Sequence, residues 1–69
     1  MIFIGNVKTR EEALREGRKA SEKSGYTFVY EKALCGNMGK RHVCYRGFLD
    51  RDMPKVTVVS IQEWREMKR

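Results

Sequence analysis

The chain has no acidic residue between Lys32 and Leu49, yet that stretch carries Lys32, Lys40, Arg41, His42 and Arg46. One-signed charge on such a segment favours an anionic partner wherever the segment protrudes. A single proline and the lack of any Ser-, Gly- or Gln-rich run exclude the composition of a disordered tail. No apolar run approaches the ~20 residues that span a bilayer. The opening Met-Ile-Phe-Ile also lacks the basic leader and small-residue cleavage site of a secretory signal. A cytoplasmic protein with no membrane partner is therefore expected, and there Cys35 and Cys44 would stay reduced as small half-buried thiols. With 69 residues there is room for one domain, residues 1–69, and little room for a deep substrate cleft. A core of that size rarely supplies more than ~3–5 kcal/mol of stability.

Catalytic and metal patterns are equally scarce. The only histidine, His42, has no carboxylate forced near it, and its strand neighbour Cys44 has no orienting third group or oxyanion donor. Cys35, His42 and Cys44 offer at most three zinc ligands with no Cys-x-x-Cys knuckle. No phosphate-binding loop or dinucleotide fingerprint occurs. The expectation is a protein without catalytic residues, cofactor or metal.

Periodicity supplies the architecture. Ile2–Val7 reads as a first strand by its β-branched and aromatic content. Thr9 followed by Glu12 forms a capping-box pattern for a helix over residues 10–24, and Gly25 sits where a left-handed cap ends it. Within that helix Ala13, Leu14, Gly17, Ala20 and Ser24 share one face, a small-residue stripe suited to close packing on a sheet. Its other face carries Arg15, Arg18, Lys19 and Lys23 among glutamates. Tyr26 to Leu34 alternates, with Tyr26, Phe28 and Tyr30 on one side and Thr27, Val29 and Ala33 on the other. After Gly36-Asn37-Met38-Gly39 the chain returns as residues 41–49. A turn centred on Asn37-Met38 would pair Tyr30 with Tyr45, Phe28 with Gly47 and Thr27 with Phe48. A turn around Gly39-Lys40 would instead bring Cys35 opposite Cys44 and allow a disulfide. Lys55–Val59 reads as the last strand of a meander. Ser60 with Glu63 opens a helix to about Lys68, which Trp64 anchors to the sheet. The predicted fold is α+β, an antiparallel three- to four-stranded sheet with two helices in the order β-α-β-β-β-α.

The tail of that order, α-β-β-β-α, resembles the double-stranded-RNA-binding domain in topology and length. The chain departs from that family's Lys-Lys-x-Ala-Lys phosphate-binding run, reading Ser60-Ile-Gln-Glu-Trp-Arg in its place.

Formal charge is +6, from 15 Lys and Arg against 9 Asp and Glu. Such a surplus suits nucleic acid or an acidic or nucleoprotein surface. The candidate contact residues are Lys32, Lys40, Arg41, His42 and Arg46 on the hairpin, with Arg15, Arg18 and Lys19 from the first helix. Tyr30 and Tyr45 join them as base-stacking groups, exposed if both helices pack on the Val29 side. The alternative reading is a protein–protein interaction module, in the style of small viral or mobile-element accessory proteins that dock on and inhibit a host enzyme or defence complex. A homodimer joined through a free strand edge belongs to the same class. In either case Tyr26, Tyr30, Met38 and Tyr45 would form the hot spot.

Overall fold

The structure, a computed structural model, describes residues 1–36 and 39–69. Six elements follow in the expected order: β1 (Ile2–Val7), α1 (Arg10–Ser24), β2 (Thr27–Cys35), β3 (His42–Asp50), β4 (Val58–Ser60) and α2 (Ile61–Met67). The helix ends follow their sequence signals. Thr9 Oγ1 accepts from the Glu12 N–H, Gly25 caps α1 at φ 81°, and Ser60 and Glu63 complete both halves of a capping box on α2.

The sheet runs β1-β3-β2-β4 and is mixed, which corrects the antiparallel meander. β1 and β2 flank β3 antiparallel, whereas β4 lies parallel to β2. A meander would set the last strand beside β3, but β1 already occupies that edge. The chain instead wraps around the start of β2 to reach its far side. Along the way the Thr27 N–H donates to Met53 O (2.9 Å), Thr27 Oγ1 donates to Lys55 O (3.1 Å) and the Phe28 N–H donates to Thr57 O (2.9 Å). Residues 53–57 pass the start of β2 in this way, and the last strand is Val58–Ser60, shorter and later than expected.

The hairpin register also differs from expectation. Tyr30 pairs with Gly47, Phe28 with Leu49, Thr27 with Asp50 and Ala33 with Cys44, a shift of two residues along β3. The predicted turn centre, Asn37-Met38, lies outside the described residues. A disulfide joins Cys35 to Cys44, correcting the pair of reduced thiols. The cysteines are diagonal neighbours on one sheet face, their Cα atoms 5.8 Å apart. Closing so short a loop stabilises the hairpin by about 2–3 kcal/mol on chain-entropy grounds.

The two helices take opposite faces of the sheet and do not touch. α1 covers the aromatic face, where Ala13, Phe28 and Tyr30 form the buried cluster, supported by Val7, Leu14, Ala20, Tyr45, Leu49 and Val58. The Phe28 ring wedges between two glycines. A Cβ on Gly17 would collide with that ring, and one on Gly47 would lie 2.6 Å from Phe28 Cζ. Aromatic cover over Gly47 was expected from direct pairing; the ring achieves it diagonally instead. α2 covers only the corner of the second face near Val29, Val59 and Asp50.

Candidate functional site

β2 and β3 continue beyond both helices, so the outer hairpin is bare on its two faces and Leu34 and Val43 are exposed there. Gly36 (φ 116°) and Gly39 (φ 86°) take left-handed backbone that other residues resist, and they shape the turn. Lys40, Arg41 and His42 follow directly and are exposed, as are Lys32 and Arg46 farther down the strands. Among the described residues, none of these five lies within 4.0 Å of a carboxylate. Glu31 is in register with Arg46 but does not close an ion pair with it. Strand alternation divides these side chains: His42 and Arg46 share the face that bears α2, while Lys32 points to the α1 face.

The helical cations do not join this group. Arg15, Arg18 and Lys19 project from the solvent side of α1 and pair with Glu16 and Glu22 at 3.6–3.9 Å. Tyr30 and Tyr45 are also corrected as exposed stacking groups. α1 lies over them, leaving Tyr30 8% exposed and Tyr45 half-buried, with their rings edge-to-face at 6.3 Å. Both helices on the Val29 side would have freed these rings, but the Gly17 contact with Phe28 fixes α1 on the aromatic side. Arg10, which composition alone gave no reason to single out, stacks its guanidinium over the Tyr30 ring at 5.9 Å.

A second group went unrecognised because it depends on pairing between distant strands. Phe3 of β1 sits directly opposite Phe48 of β3, their rings edge-to-face at 5.6 Å. Asn6 likewise sits opposite Arg46. The four side chains line a shallow concavity of about 390 Å³ on the face opposite α1, beyond the reach of α2. Phe3 is 54% exposed there. An aromatic at Phe3 and an amide at Asn6 were visible in the first strand; which strand they meet was not.

At the other end of the same face, Asp50 is buried at 2% exposure. Its Oδ2 accepts from Trp64 Nε1 (2.6 Å) and faces Lys68 Nζ (3.4 Å), while Oδ1 accepts from the Asp52 N–H (3.0 Å). Burial pushes its pKa up, but the bonds from Trp64, Asp52 and Lys68 outweigh that and hold it below the ordinary carboxylate value. Trp64 thus anchors α2 as expected, through a carboxylate that the sequence presented as part of a polar turn. This is a structural clasp. Among the described residues, no three His, Cys, Asp or Glu side chains converge as a metal site, and no helix is long and apolar enough to cross a membrane.

Compared with known proteins, the chain matches no family model, no curated protein and no solved structure.

Proposed function

We propose that this is a small non-catalytic binding protein that engages nucleic acid, alone or within a nucleoprotein complex, through the basic β2–β3 hairpin. The observation that carries this reading is the set of five exposed hairpin side chains, Lys32, Lys40, Arg41, His42 and Arg46, with no carboxylate at ion-pair distance among the described residues. Cations already paired with carboxylates gain less from a phosphate, so unpaired ones are the better phosphate ligands. Arg15, Arg18 and Lys19, being paired on the far side, play a lesser part than first expected. The cytoplasmic placement stays part of this reading, and there the Cys35–Cys44 bond would face a reducing thiol pool.

The mechanism is phosphate neutralisation with counterion release, so affinity falls steeply as salt rises. Fluorescence anisotropy with labelled oligonucleotides across a salt series tests it. Arg41→Glu is expected to weaken binding about tenfold for every sequence alike and to flatten the salt slope. Affinity that persists unchanged at several hundred millimolar salt would contradict the mechanism.

An alternative reading, docking on a host protein, draws on β1. That edge strand exposes Ile2 and Ile4 on the α1 face and Phe3 on the other, and its outer backbone edge can add a strand of another chain. Capture from lysate with and without nuclease separates the two. Loss of captured material on nuclease treatment supports the hairpin reading, and one dominant protein that resists nuclease supports docking.

A further inference from the structure

We infer that the open sheet face formed by Phe3, Asn6, Arg46 and Phe48 is a base-stacking platform, which makes the preferred ligand a single-stranded nucleic acid. This rests on the nucleic-acid reading above and adds strand selectivity to it. Bases in a duplex are stacked on one another and hidden from a side-chain ring; unpaired bases present a π-face. Phe3 and Phe48 offer that complement, since edge-to-face packing leaves ring surface open to solvent and α2 stops short of them. Arg46 lies beside the rings in the same concavity, positioned to hold a phosphate or to stack by its guanidinium plane. Asn6 adds an amide that donates and accepts, fitting a base edge.

Charge argues for this occupant over an apolar one. From Phe48 the same face of β3 runs through Arg46 to His42, about 20 Å of strand at ~3.4 Å per residue, and leads to Lys40 and Arg41. A strand whose bases rest on the phenylalanines would carry its backbone along that cationic track. The strands place one carboxylate on this stretch, the half-buried Glu31 opposite Arg46. A greasy protein surface would match the rings but leave the cations unanswered.

Anisotropy titrations of the full chain against a labelled single strand of about 12 nucleotides, within the usual site size, and a duplex of equal length provide the test. Phe3→Leu and the double variant Phe3→Leu/Phe48→Leu keep apolar bulk and remove the π-face. Each ring is expected to be worth about tenfold in single-strand affinity, with duplex affinity unchanged within about twofold. Because Phe3 is exposed, Phe3→Leu stays folded even if the double variant does not, and circular dichroism checks this. Salt-sensitive single-strand binding that ignores both substitutions overturns the platform while leaving the hairpin reading intact. If the wild type binds neither form at low salt, the hairpin reading fails and takes the platform with it. A dimer that Phe3→Leu dissociates without altering single-strand affinity assigns the face to a second copy and overturns the proposal.

Discussion

The two faces of the sheet solve the burial problem in opposite ways. On one, α1 presents Ala13, Gly17 and Ser21 and comes so close that the Phe28 ring fills the space between Gly17 and Gly47. On the other, α2 is short and none of its residues is buried, so it is held through a polar clasp from Trp64 and Lys68 to Asp50. The first face is filled at its centre by shape. The second is closed at one corner by charge and hydrogen bonds, and the rest stays open beside Phe3 and Phe48. A half-covered face lined by two aromatics and an arginine can receive a ligand, so function is sought on the second.

The contrast can be broken most severely at Gly17. Valine there forces a branched side chain into the Phe28 ring, and the expected cost is about 3 kcal/mol or more. Set against a total of ~3–5 kcal/mol for so small a core, that loss leaves much of the protein unfolded, as a urea titration would register. Alanine at the same position sharpens the point. Helix propensity alone would make Gly17→Ala stabilising by ~1 kcal/mol, so a net loss demonstrates the close approach, and a gain would refute it.

Removing the Cys35–Cys44 bond comes next. The double variant Cys35→Ser/Cys44→Ser is expected to lose about 2–3 kcal/mol. A thermal melt of the wild type with and without reductant should show a matching drop in Tm. Equal melts in both conditions would mean that the bond contributes nothing to stability.

Asp50→Asn weakens the clasp on the second face by about 2 kcal/mol at neutral pH, the usual scale for hydrogen bonds to a charged group. The folded-state pKa of Asp50 lies below its unfolded value near 3.8. The carboxylate's stabilisation is therefore complete above about pH 4 and is lost as pH falls through the depressed folded value. The gap between wild type and variant should narrow as pH falls from about 4 toward that depressed value, and a constant gap across pH would count against an ionised Asp50. The smallest stability change is expected at Phe3. Phe3→Leu should stay within about ±0.5 kcal/mol of wild type, as for other exposed positions. A larger loss would show that the open face is in truth part of the core.

Local signals in the chain were legible where they act over a few residues. The Thr9 and Ser60 caps, the Gly25 terminus and the small stripe of α1 follow from the chemistry of neighbouring groups, and the structure keeps them. The exposed basic tip was equally readable, since an acid-free run of cations beside a glycine-rich turn has no local partner. Tyr30 and Tyr45 were misread because alternation tells which residues share a face and not which face a helix covers. The slipped register had a related origin. Turns one residue apart differ little locally, and the cysteine pair favours the observed one, since the expected register would set Cys35 opposite Lys40, four residues from Cys44.

Six elements in order, their caps, a surplus of positive charge and a cationic hairpin were determined by the sequence itself, because each arises from contacts within a turn or two of chain. The placement of β4 beside β2, the seating of the helices on opposite faces, the meeting of Phe3 with Phe48 and the burial of Asp50 under Trp64 were decided only in three dimensions. Each of these depends on strands and helices far apart in the chain competing for the same edges and faces, and only the packed whole decides which of them wins.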